Sequence, residues 1–171
     1  MGFSCKFNGS TSKVDTQSTF GGLTGAITIL AWINPSSFGE VGVARIVDNG
    51  EAIIWVQNYK VYFTSNNFSN ETSSAAGSIT LNKLQFIAVT READGTVNFY
   101  IGDKDNAPTS SGAADQDSGT PEAGTTNVII GNNAAGTRTF DGTINKIAVV
   151  EGILSLAEIS RYWSSSLREV N

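Results

Sequence analysis

An all-β fold is predicted by three features of the 171-residue sequence. It carries 15 Ile and 12 Val against only 7 Leu, a bias that suits pleated strands and crowds helices. Its 18 glycines punctuate the chain with turn positions. Between them recur short apolar runs, the pattern of a sandwich or barrel.

Taken in order, the run at 27–34 reads Ile-Thr-Ile-Leu-Ala-Trp-Ile-Asn and is ended by Pro35. Ile27, Ile29, Ala31 and Ile33 share one face, and Leu30 and Trp32 share the other. A strand apolar on both faces is central and covered on both sides. A strand at 44–48 leads to Asn49-Gly50, a tight-turn dipeptide. Strands at 52–57 and 60–64 are separated only by Asn58-Tyr59. Those at 84–90 and 96–101 are joined by Asp94-Gly95, and runs at 127–131 and 143–150 complete the set. Ser155-Leu156-Ala157-Glu158 fits a capping box. Leu156, Ile159, Tyr162 and Trp163 then fall at helical spacing, which predicts one helix packed on the sandwich.

Two stretches, 64–78 and 103–126, read as loops. The second has 24 residues, with Asp103, Asp105, Asp115, Asp117 and Glu122 against the single Lys104. It exceeds the roughly 12–15 residues of an ordinary loop, which marks it as functional or mobile. With no composition break or repeat, residues 1–171 are expected to form one domain.

Composition removes several function classes. The sequence has no His, which excludes Ser-His-Asp and Cys-His catalysis and imidazole-based metal sites. A lone Cys5 forms no internal disulfide and reads as a small apolar strand residue. The net charge of −5 opposes binding to a nucleic-acid backbone. No run of 18 apolar residues exists to insert into a membrane. No signal peptide is visible at the start. The three N-glycosylation sequons, at Asn8, Asn67 and Asn70, are no more than this composition yields by chance.

The Asn58-Tyr59 connection fixes a register. A two-residue loop pairs Gln57 with Lys60, Val56 with Val61, Trp55 with Tyr62, and Ile54 with Phe63. The purely apolar set should face the core, leaving Trp55 and Tyr62 together on the opposite face. Such a pair, with Tyr59 at the hairpin tip, can contact a sugar or a protein surface. The other reading is that the long loops fold over the pair as a satellite core.

The order of motifs resembles the laminin-G-like branch of the concanavalin A-like lectin and glucanase superfamily. Phe7-Asn8-Gly9-Ser10 followed by Val14 is similar to its opening segment. Ile27 to Ile33 resembles its T-I-x-A-W-[IV] strand, and Phe99-Tyr100-Ile101-Gly102 its F-Y-[IV]-[ND]-G hairpin. Ile129-Ile130-Gly131, then Phe140-Asp141-Gly142-Thr143-Ile144, and finally Leu154-Ser155 through Glu158-Ile159 follow in the family's order. Leu84 stands where the family pattern has Trp, and Gly102-Asp103 replaces Asn-Gly. The resemblance implies a jelly-roll sandwich of two antiparallel sheets. It also implies, for some members, a structural Ca2+, which maps here onto Asn8, Gly9 and Asp141. The alternative is that Asp141 stabilises a turn through backbone hydrogen bonds. The paired carboxylates that sandwich glucanases carry as E-x-D-x-x-E have no counterpart.

The expected function is therefore a non-catalytic recognition or adhesion module for a glycan or protein surface, extracellular or on a virion. The alternative is a structural virion-surface protein, such as a capsid decoration or tail component, acting through protein–protein contacts. A homo-oligomer is compatible with either reading.

Overall fold

A computed structural model describes residues 5–65, 71–112, 115–116 and 121–170. Asn67, Asn70 and Asp117 lie outside these residues. The chain folds as a jelly-roll sandwich of two antiparallel sheets. The strands are β1 (Cys5–Asn8), β2 (Val14–Asp15), β3 (Ile27–Pro35), β4 (Ala44–Asp48), β5 (Ile53–Gln57), β6 (Lys60–Thr64) and β7 (Thr72–Ser73). They continue as β8 (Gln85–Arg91), β9 (Thr96–Asp103), β10 (Thr109–Ser110), β11 (Asp115–Gln116), β12 (Ile129–Ile130) and β13 (Asp141–Glu151), before the helix α1 (Leu156–Val170). One sheet of seven strands has the order β1-β13-β3-β8-β9-β10, with β11 also on β9. The other, of six strands, runs β2-β12-β4-β5-β6-β7.

The core lies between the sheets. Ile27, Ile29, Ala31 and Ile33 of β3 meet Ile54, Val56, Val61 and Phe63 of the opposite sheet there. The other face of β3 is covered as well. Leu30 and Trp32 join Phe86, Ala88 and Ile159 in a second cluster beneath α1. Leu84, at the position where the family pattern has Trp, packs at the margin of that cluster. Trp32 Nε1 donates to Ser166 Oγ at 2.8 Å, so the one polar atom of this buried indole is satisfied by the helix. The capping box forms: Ser155 N–H donates to Glu158 Oε2 at 2.8 Å, and Glu158 N–H to Ser155 Oγ at 3.4 Å.

Four features depart from the sequence reading. Asn49-Gly50 makes no two-residue turn. Asp48 pairs with Ile53, and the four-residue connection is closed by Asn49 Oδ1, which accepts the N–H groups of Glu51 and Ala52. The two long loops carry strand pairing: β7 lies on β6, and β10 and β11 on β9. The segments join where Ala75 N–H donates to Ser111 O at 3.1 Å, linking the open edges of the two sheets. Arg91, one residue beyond the strand read at 84–90, is the buried last residue of β8. Cys5 is exposed at the start of β1, an edge strand, and not packed in the interior.

Candidate functional site

The register expected across Asn58-Tyr59 is observed, with Trp55 opposite Tyr62 and Val56 opposite Val61. Asn58 and Tyr59 have φ of 48° and 61°, so both central residues occupy the left-handed region that a two-residue hairpin of matching twist requires. Tyr59 is exposed at the tip, and its ring meets Phe38 edge-on with centroids 4.9 Å apart.

Trp55 and Tyr62 stack with ring centroids 5.2 Å apart and planes 13° from parallel. Arg45 is the cross-strand partner of Trp55, and its guanidinium lies 4.9 Å from the indole centroid. Arg45, Trp55, Tyr62 and Ser73 thus form one row across β4 to β7 on the outer face of the six-stranded sheet. Because its two ring faces are covered by Tyr62 and Arg45, Trp55 is only 1% exposed. It is a wall of the site and not an open platform for a sugar ring. Its Nε1 donates to Gln57 Oε1 at 3.2 Å, which holds the rotamer. Tyr62 is half-buried, and Lys60 Nζ lies 6.0 Å from its ring centroid.

Arg45 reaches this face together with Asp48. Residues three apart on a regular strand face opposite ways. A bulge between Arg45 and Val47 changes that: it leaves Ile46 and Val47 both in the core and turns Arg45 and Asp48 to the same side. Arg45 Nε and Asp48 Oδ2 then pair at 3.3 Å, nearly buried. Burial lowers the Arg45 guanidinium to a pKa of about 10, opposed by Asp48 and reinforced by the neighbouring Arg138. Burial also raises the Asp48 carboxyl above its usual range, against the Gly50 N–H and Arg45, which favour the ion.

Arg45 sits between two cavities. One, of about 290 Å³, is lined by Val43, Arg45, Trp55, Gln57, Glu71 and Arg138. The other, of about 250 Å³, is bounded by Arg45, Asp48, Gly50, Ile53, Thr126 and Asn133 among others. The first is polar and suited to a hydroxyl-rich or charged ligand. Arg45, Glu71 and Arg138 are not singled out by the sequence. The bulge conceals Arg45, and Arg138 lies in a connection without periodicity.

The three residues expected to hold calcium also come together, since Asn8 pairs with Asp141 across β1 and β13. Their hydrogen bonds hold the turn between β1 and β2 and its contact with β13. Asn8 Oδ1 accepts three backbone N–H groups, from Ser10, Thr11 and Ser12, at 3.0, 2.8 and 3.1 Å. Asp141 Oδ2 accepts the Ser37 hydroxyl at 2.7 Å, and Gly9 N–H donates to Phe140 O. Asn8 Oδ1 is thus surrounded by positive N–H ends, a poor setting for a cation ligand. Among the described residues no cluster of three or more acidic or Cys side chains is arranged to hold a metal.

No helix among the described residues is long and apolar enough to cross a membrane. Comparison with known proteins places the geometry in a family. In structure, the chain is similar to the CBM40 module of the Ruminococcus gnavus IT-sialidase, solved bound to alpha2,3 sialyllactose. The TM-score is 0.69 at 13% identity, covering 93% of this chain and 97% of that one. Domains LG4-5 of the mouse laminin alpha1 chain align with a TM-score of 0.60 at 12% identity, over 87% of this chain and 41% of that one. A heptameric SAP-like pentraxin from Limulus polyphemus gives 0.57 at 13%, over 92% and 73%. No curated relative matches in sequence. The laminin-G family pattern described as the concanavalin A-like lectin/glucanases superfamily matches residues 8–160, and the chain belongs to that family.

Proposed function

We propose that this domain is a non-catalytic recognition module that binds a glycan through the outer face of the six-stranded sheet. The observation that carries the reading is the pair Arg45–Trp55, backed by the stacked Tyr62, which walls a polar cavity of about 290 Å³. A rigid stack of charged and aromatic groups beside a concave polar surface is the chemistry of sugar recognition: aromatic edges exclude water while donors and acceptors read hydroxyls. Support also comes from the similarity to a sialidase-linked module solved with a bound sugar, which at 13% identity speaks for the scaffold and not for the site. The same chemistry suits an extracellular setting. The virion-surface alternative rests on composition alone.

The test is a glycan array probed with the wild-type protein and with Tyr62→Ala. Tyr62 is half-buried at the open end of the stack, so its loss frees the Trp55 wall from its stacking partner without emptying the core. Binding by the wild type and loss in a variant of near-normal melting temperature support the reading. Unchanged binding by the folded variant removes this face from consideration.

A further inference from the structure

Within that cavity, Arg138 differs from its neighbours. Its backbone is fixed by the turn that Asn132 organises: the buried Asn132 Oδ1 accepts the Arg138 N–H at 2.9 Å, while its Nδ2 donates to Thr139 Oγ1 at 2.7 Å. Arg45 N–H donates to Arg138 O at 3.2 Å, which ties the turn to β4. The side chain is therefore held at the cavity wall beside Arg45. The two arginines are treated differently. Arg45 has the Asp48 carboxylate, whereas among the described residues no carboxylate forms an ion pair with Arg138. The side-chain hydrogen bond that Arg138 makes goes from Nη1 to Thr137 O at 3.0 Å, which leaves most of its five donors for a partner.

We propose that Arg138 is the anion subsite of this face, receiving a carboxylate or sulfate carried by the bound sugar. The inference rests on the glycan-binding reading above and adds the ligand's charge to it. A planar fork of N–H donors matches either oxyanion. Asp48 and Glu71 offset the charge of the adjacent Arg45, so Arg138 supplies the positive potential, and the repulsion between the two guanidiniums is relieved when an anion sits against them. Glu71 lines the same cavity but is exposed, and it is placed to accept sugar hydroxyls. The net charge of −5 does not oppose this, since at physiological salt charges beyond about 8 Å are screened.

The experiment uses matched glycans that differ only in one substituent: lactose, 3′-sialyllactose and 3′-sulfolactose, together with an array of similarly matched neutral, sialylated and sulfated pairs. At low salt the wild type is expected to bind at least one acidic form about tenfold more tightly than its neutral parent, the value of one charge-assisted contact. Arg138→Gln is expected to bring the ratio of acidic to neutral affinity to about one, and Arg138→Lys to restore part of it. Which acidic form gains identifies carboxylate or sulfate as the group read. Equal binding of neutral and acidic forms, or a preference retained in Arg138→Gln, overturns the subsite and leaves the glycan-binding reading standing. Silence across the array overturns both. A salt titration of the wild type gives a second readout that needs no variant: a preference that does not shrink with ionic strength overturns the proposal.

Discussion

At Gly131 the backbone has φ of 76°, and a Cβ there would lie 1.9 Å from Cε1 of Phe7. Phe7 is core and meets Phe140 edge-on at 6.2 Å, so neither ring can retreat cheaply. Gly131→Ala is expected to destabilise the fold by about 3 kcal/mol or more, seen as a lower urea midpoint at an unchanged slope. A second residue-scale expectation concerns the outer face. Asp48→Ala leaves the Arg45 guanidinium buried without its carboxylate, at a cost of about 3–5 kcal/mol. Equilibrium unfolding checks it, and a loss below about 1 kcal/mol would mean the pair behaves as a solvated surface bridge. These residues also show how far the site was legible. Trp55 and Tyr62 follow from alternation across a two-residue loop, a rule with no free parameter. Arg45 and Asp48 do not, because one bulge inverts the face of everything beyond it. The position of Arg138 depends on the buried Asn132, whose role no local pattern announces.

Among the elements, the start of the chain and the β9–β10 connection are held by side chains that act as substitute backbone partners. At the first, Asn8 Oδ1 gathers three N–H groups and Asp141 takes the Ser37 hydroxyl. The melting temperature is accordingly expected to be the same in calcium and in chelator, and a rise of several degrees with calcium would refute this account of the turn. At the second, Asp103 accepts from Lys83 Nζ at 2.8 Å and from the N–H groups of Asp105 and Asn106. The Lys83 contact, with those backbone donors, holds its carboxyl far below the usual range. A depressed folded-state pKa gives stability that is present above the unfolded value of about 3.9 and is lost as pH falls through the folded one. The wild type should therefore be more stable than Asp103→Asn at pH 7, with the gap closing below about pH 4. A gap independent of pH would show that shape, not charge, is what Asp103 supplies. The long strands were legible because burial on one or both faces imposes alternation. The two-residue strands β7, β10 and β11 were not: β10 and β11 are built from Thr, Ser, Asp and Gln at a sheet edge, where pairing rests on backbone hydrogen bonds and leaves no apolar signature.

On the scale of the whole molecule, the two outer faces of the sandwich are used oppositely. The seven-stranded sheet is covered by α1, whose Ile159 is fully buried against Leu30, Trp32, Phe86 and Ala88. The six-stranded sheet carries the charged and aromatic row and its two cavities. Between them lies the core, which fixes the sheets but contributes no residue to that row. This asymmetry predicts that the helix serves stability alone. Ile159→Ala removes a fully buried side chain and is expected to cost about 2–5 kcal/mol in unfolding free energy. Its effects on stability should simply add to those of changes at Tyr62 or Arg138, because sites with no shared partners do not couple. The measurement is a double-mutant cycle in which melting and glycan affinity are recorded for Ile159→Ala, Tyr62→Ala and the pair. Unchanged affinity in Ile159→Ala, at a temperature where it is folded, together with additive losses of stability, places recognition on the far sheet. A loss of affinity in Ile159→Ala equal to that in Tyr62→Ala would instead move the binding surface to the helix side of the sandwich.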